Sequence, residues 1–256
     1  MKGQIEAVIL DWAGTTVDYG CFAPVQAFVE VFREFHLEPT MEEIRKPMGM
    51  LKWDHIHAVL SMSRIADQFR AYYGRDFEKE DVDRMYSHFE TGLMGILHNF
   101  AELKPHVLET VWELRNRGIK IGSTTGYTDS MMEVVVKRAK EQGYEPDVWY
   151  SPDSTDGMGR PYPYMIFRNM MDLKVSDVSR VIKIGDTVSD ILEGKQAGVT
   201  AVGIIEGSSE MGLTEEEYES LSHKEKEEHI RTVTSRYQEA GADHVVMDIR
   251  GILGLV

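Results

Sequence analysis

Four short stretches of this chain carry residue types that together could transfer a phosphoryl group. Asp11 ends the apolar run 5–10, where its carboxylate could attack phosphorus. Thr124, Thr125 and Gly126 close a second run, 119–125, and offer hydroxyls and amides to phosphate oxygens. Arg160 supplies a cation from the Pro-flanked loop 159–163. Asp186 lies toward the end of a third run, 180–187, and Asp190 follows four residues later, giving acidic groups suited to a divalent ion. A lone Asp after a strand, or a lone Gly-Asp with a second Asp downstream, is often only a turn with a helix cap. All of these groups in this order make a complete set for phosphoryl chemistry.

The elements that must position them alternate. Short runs rich in β-branched residues at 5–10, 119–125 and 180–187 read as parallel strands buried on both faces, with weaker strands at 200–205 and 243–248. Helical stretches precede the second and third strong runs, and Gly118 suits a helix C-terminus. Strand–helix alternation implies a doubly wound parallel α/β sheet with right-handed crossovers, whose ligands bind at the carboxyl ends of the strands. Residues 19–99 break the rhythm with consecutive helices, at 23–35, 41–47, 48–62, 63–74 and 78–97. The expected organisation is an α/β core domain from 1–18 and 100–256 with a helical cap domain, 19–99, inserted. The charged stretch 214–231 reads as one solvated surface helix.

Composition narrows the partners. With 28 Lys and Arg against 43 Asp and Glu, the formal charge of −15 opposes binding to nucleic acid or anionic lipid. The same charge means that an anionic substrate needs local cations, a metal or backbone amides. Cys21 is the single cysteine, which fits a reducing compartment. The first apolar run is short for a signal peptide, and no stretch approaches the roughly 20 apolar residues of a membrane span. A cytoplasmic protein is expected.

The motifs 11–18 (DWAGTTVD), 123–126 (STTG), 159–163 (GRPYP) and 185–190 (GDTVSD) resemble those of the haloacid dehalogenase superfamily in type and order, from the first strand to about residue 207. The resemblance implies that Asp11 attacks phosphorus, that Thr125 and Gly126 bind the phosphoryl group, and that Arg160 stands where the family's cation does. It further implies Mg2+ on Asp11, Asp186 and the Ala13 backbone carbonyl, with Asp190 a more distant partner of the metal, through water.

One departure directs the chemistry. Most phosphatases of this group carry an acidic residue two positions after the nucleophile, to protonate a leaving oxygen; here that position is Ala13. A leaving group on carbon needs no such acid. Direct cleavage of a phosphonate would expel a carbanion, whereas an aldehyde condensed with an amine gives a protonated imine that accepts the electrons. The segment 45–57 offers the amine. On one helix, at about 100° per residue, Met48, Lys52 and His55 fall on one face. Desolvation, and repulsion from a charged His, would lower the Lys52 pKa, each unit costing about 1.4 kcal/mol. This segment, with 11–24, 123–128 and 159–165, resembles the superfamily's phosphonate-cleaving branch. The expected reaction is hydrolysis of the carbon–phosphorus bond of phosphonoacetaldehyde, with Lys52 forming the imine and Met48, His55, Cys21 and Tyr127 lining the site. A homodimer is implied by the same resemblance.

Blander readings stand beside these. Met48 and His55 could be one packed helix face, Lys52 a solvated lysine, Cys21 a small buried hydrophobe, Tyr127 a packing residue and Arg160 a structural ion pair. A sugar-phosphate phosphatase or phosphomutase of the same superfamily is the nearest rival function; a phosphate-binding protein without activity is the rival of another class. The group that activates water against an aspartyl-phosphate is open between the freed Lys52 amine, His55 and a water chain.

Overall fold

A computed structural model describes residues 4–256, so the first three residues of the expected 1–18 segment lie outside the described residues. Strand β1 (Ala7–Leu10) leads into helices α1 (Phe22–Glu34), α2 (Met41–Arg45), α3 (Lys52–Leu60), α4 (Ser63–Tyr73) and α5 (Lys79–Ile96), with α6 (Val107–Asn116) next. Then come β2 (Lys120–Thr124), α7 (Asp129–Glu141), β3 (Val148–Tyr150), α8 (Tyr164–Asp172), β4 (Val181–Gly185), α9 (Val188–Ala197) and β5 (Thr200–Ile204). The chain ends through α10 (Glu215–Ser220), α11 (His223–Glu239) and β6 (His244–Val246).

All strand pairs are parallel, in the order β3-β2-β1-β4-β5-β6. Alternate residues of β1 show why its sequence is apolar throughout. Val8 and Leu10 pack with Ile121, Ile182 and Ile184 on one face, while Ala7 and Ile9 meet Ile166 and Met170 of α8 on the other. The strand order reverses between β1 and β4, where a crevice opens at the strand ends. Leu10 pairs with Ile184 and with Ser123, so Asp11, Asp186 and Thr124 emerge side by side.

Helices α1 to α5 bury a continuous set of aromatic and aliphatic residues, among them Phe28, Phe32, Ile56, Phe69 and Phe89. Three expectations need correction. The helix expected over 48–62 starts only at Lys52, because Gly49 sits at φ +85 and a Cβ there would meet the Thr187 side chain at 2.4 Å. Met48 therefore lies in a turn after Pro47, off the helix. The expected helix 214–231 is two, each opened by its own capping box, Thr214 with Glu217 and Ser222 with Glu225. It is not wholly solvated either: Tyr218 is buried, and α11 continues to the buried Val233 and Tyr237. Strand β3 was not expected; three residues at the sheet edge are too short to display a period.

Candidate active site

Asp11 leaves β1 into a tight loop in which Gly14 adopts φ +87, and a Cβ on Gly14 would lie 2.0 Å from Asp186 Oδ2. Only glycine lets that backbone approach the carboxylate. Asp186 accepts from the Ser209 amide at 2.7 Å, and Tyr237 donates to the Asp186 carbonyl at 2.7 Å. One oxygen each from Asp11, Asp186 and Asp190 lies within 4.8 Å of the others. Burial, with the neighbouring Asp11 and Asp190 charges, pushes the Asp186 carboxyl well above the usual carboxylate range. A divalent cation would relieve that crowding. The Ala13 carbonyl accepts no backbone N–H among the described residues. These hard oxygen donors fit Mg2+.

Asp190 is held differently. It accepts from the Thr187 hydroxyl at 2.6 Å and pairs with Lys183 Nζ at 2.8 Å and Arg160 Nη2 at 3.0 Å. Although burial opposes its ionisation, Arg160 and Lys183 hold its carboxyl below the usual range. Arg160 also reaches Glu193 at 3.1 Å, Asp11 Oδ1, and the Thr124 hydroxyl at 3.1 Å. Burial works against the guanidinium's charge, but Asp11, Asp190 and Glu193 outweigh it and raise its pKa. Its Nη1 has no partner among the described residues.

Thr124 and Thr125 part company. Thr124 points into this ionic network, donating to Glu193 at 3.0 Å and accepting from Lys183 at 2.9 Å. Thr125 faces a small cavity lined also by Asp11, Ala13, Cys21, Met48, Lys52, Gly126, Tyr127, Arg160 and Asp186.

Lys52, at the first turn of α3, brings its amine into that cavity, 5.3 Å above the Tyr127 ring. Desolvation lowers its pKa first of all, with Arg160 adding to the effect against the opposing carboxylates of Asp11 and Asp186. Burial likewise pushes the Cys21 thiol up. His55 is absent from the lining. It stacks on Phe28 at 3.8 Å between ring centres, both ring nitrogens lack partners, and burial and Lys52 drive its pKa well below 6.5. A charged His55 therefore does not act on Lys52, and dryness carries the effect.

Lys183 and Glu193 escaped the sequence reading, though signals existed. Lys183 is a lone charge inside the apolar strand 181–185, and Glu193 lies three residues after Asp190, on the same helix face.

The family model for haloacid dehalogenase-like hydrolases matches residues 5–198. The chain is 49% identical to a phosphonoacetaldehyde hydrolase of Bacillus cereus, over 99% of this chain and 96% of that protein. It is 48% identical to one of Lysinibacillus sphaericus, over 97% and 93%. Among solved structures, a phosphonoacetaldehyde hydrolase-like protein of Oleispira antarctica superposes with a TM-score of 0.95 at 37% identity, over 99% of this chain and 92% of that one.

Proposed function

The chain belongs to the haloacid dehalogenase-like hydrolases, and from that premise we propose that it hydrolyses the carbon–phosphorus bond of phosphonoacetaldehyde, releasing acetaldehyde and phosphate. The observation that carries this reading is the dry Lys52 amine in one cavity with Asp11, Thr125 and Asp186. An ester phosphatase has no use for such an amine.

In this reading the neutral Lys52 amine adds to the aldehyde, and loss of water with uptake of one proton from solvent leaves a protonated imine. Arg160 holds Asp11 Oδ1, which leaves the other carboxylate oxygen to attack phosphorus. The P–O bond forms as the C–P bond breaks, and the released electron pair moves to the imine nitrogen, giving a neutral enamine. Protonation at carbon and hydrolysis return acetaldehyde and the Lys52 amine. Water then splits the aspartyl-phosphate to phosphate and free Asp11. Thr125, Gly126 and the unpartnered Arg160 Nη1 receive the phosphonate oxygens. Asp11, Asp186 and the Ala13 carbonyl would hold Mg2+, which would neutralise charge between carboxylates and phosphonate. Asp190 acts through Arg160 and Lys183, and His55 packs behind Lys52.

The helical segment serves as a cap over the core domain, and a homodimer in the cytoplasm completes the proposal. No helix of the described residues is long and apolar enough to cross a membrane. Phosphonoacetaldehyde with Mg2+ should yield acetaldehyde and phosphate in equal amounts, and borohydride added during turnover should fix a two-carbon unit on Lys52. A label on another lysine, or none, overturns the imine.

A further inference from the structure

Arg45 ends helix α2, in the helical segment, yet its guanidinium reaches the loops that follow β1 and β5. Nη1 donates to the Gly20 carbonyl at 2.9 Å, the Ser209 carbonyl at 3.2 Å and the Ser209 hydroxyl at 3.4 Å. The group stacks on Phe22, with its central carbon 4.8 Å from the ring centre. Gly212, at φ +68, faces the same side chain, and a Cβ there would meet Arg45 Nε at 3.0 Å. Nη2 is buried without a partner. The Ser209 that it clamps donates its amide to Asp186 Oδ2 at 2.7 Å.

We propose that Arg45 is a positioning residue for Asp186: by clamping Ser209 from the helical segment, it sets the orientation of the carboxylate that receives the metal, and so makes metal affinity depend on that segment being seated. The chain of contacts is Arg45 to Ser209 to Asp186, and it bypasses Lys52. Arginine suits the task because the two N–H groups of Nη1 reach carbonyls of different loops while the flat guanidinium stacks on Phe22, a contact that the compact ammonium of lysine matches less well. The inference rests on the reading of Asp186 as a metal ligand.

The test measures Mg2+ affinity by titration calorimetry on the full chain without substrate, for wild type, Arg45→Met and Arg45→Lys. Thermal melts and circular dichroism show whether each variant is folded. Loss of a group that orients a metal ligand costs about 10–100-fold in affinity. Arg45→Met should therefore weaken Mg2+ binding at least tenfold, and Arg45→Lys should recover part of the loss. Borohydride trapping of phosphonoacetaldehyde at Lys52 should stay near the wild-type rate, because that step does not use Asp186. Unchanged Mg2+ affinity in a folded variant overturns the proposal. So does an equal loss of metal binding and imine trapping, which would make Arg45 a general fastener of the helical segment. If Arg45→Met does not fold, Arg45→Lys decides by the same two measurements. A wild-type chain without Mg2+ affinity would instead sink the metal reading itself.

Discussion

Two buried lysines a short way apart are treated in opposite ways. Lys183, on β4, has Asp190 at 2.8 Å and Glu193 at 3.5 Å and belongs to a network with Arg160 and Thr124. Lys52, across the cavity, has the face of Tyr127 in place of a carboxylate, and its pKa is lowered by desolvation. The floor of the site spends its charges on one another and becomes rigid. The roof leaves one amine without a counter-ion, which keeps it nucleophilic. Burial alone thus says little about a lysine; the partners it is buried with decide whether it is a strut or a reagent.

The largest effects should come from the reagents. Asp11→Asn should lower turnover by about 10⁴-fold or more, on the scale of other nucleophile deletions, while borohydride still labels Lys52. Lys52→Arg should be as inactive and unlabelled, because a guanidinium keeps the charge but forms no imine. Labelling lost in Asp11→Asn would show that roof and floor are not separable.

Next comes the consequence of Ala13. Phosphate monoesters, whose leaving oxygen needs a proton, should be hydrolysed about a thousandfold less efficiently than phosphonoacetaldehyde, within the 10²–10⁴ attributed to one general acid. Ala13→Asp should not improve phosphonate cleavage, since the departing atom is carbon. Comparable kcat/KM for a monoester and the phosphonate in the wild type would favour the phosphatase reading.

Stability should separate the two lysine environments. Glu193→Gln leaves Arg160 and Lys183 short of a buried partner, and removing one member of such a network costs about 3–5 kcal/mol, read from urea midpoints. Lys52→Met should abolish turnover yet hold or raise stability, by about 1 kcal/mol, because an unpaired buried amine is replaced by an apolar chain. A loss of stability in Lys52→Met would mean that the roof contains a stabilising partner for the amine.

The smallest effect lies in pH. Lys52's folded pKa lies below its unfolded value of 10.5. Between those two values the unfolded chain binds the extra proton, so this residue's contribution makes stability rise with pH. Below the folded value the penalty is full and constant, and the neutral amine is lost. Imine trapping should therefore fall as pH drops, with a midpoint below 10.5, and the pH-dependent rise in stability should disappear in Lys52→Met. A trapping midpoint near that of a free lysine would erase the contrast with which Lys52 was set against Lys183.

Much of this was legible without coordinates, for definite reasons. A strand buried on both faces must be apolar along its whole length, so 5–10, 119–125 and 180–187 declared both the parallel sheet and the residues at its carboxyl ends. Strand β3 and the break between α10 and α11 were missed because three edge residues and a single capping serine carry little periodic signal. Asp18 was also passed over in its local task, accepting from the Phe22 and Ala23 amides at 2.9 Å each at the start of α1.

The order Asp11, Thr125, Arg160, Asp186 and the absence of an acid at Ala13 were determined by the sequence alone, since residue type and strand period are properties of the chain. That Met48 lies in a turn, that His55 sits neutral behind Lys52, and that Thr124 turns away from Thr125 were decided only in three dimensions. The reason is physical: Gly49 must pass Thr187 too closely for any side chain, and the dryness around Lys52 is contributed by residues from α3, β1's loop and the loop after β2 together. Desolvation is a property of what surrounds a group, and no single segment of sequence contains its own surroundings.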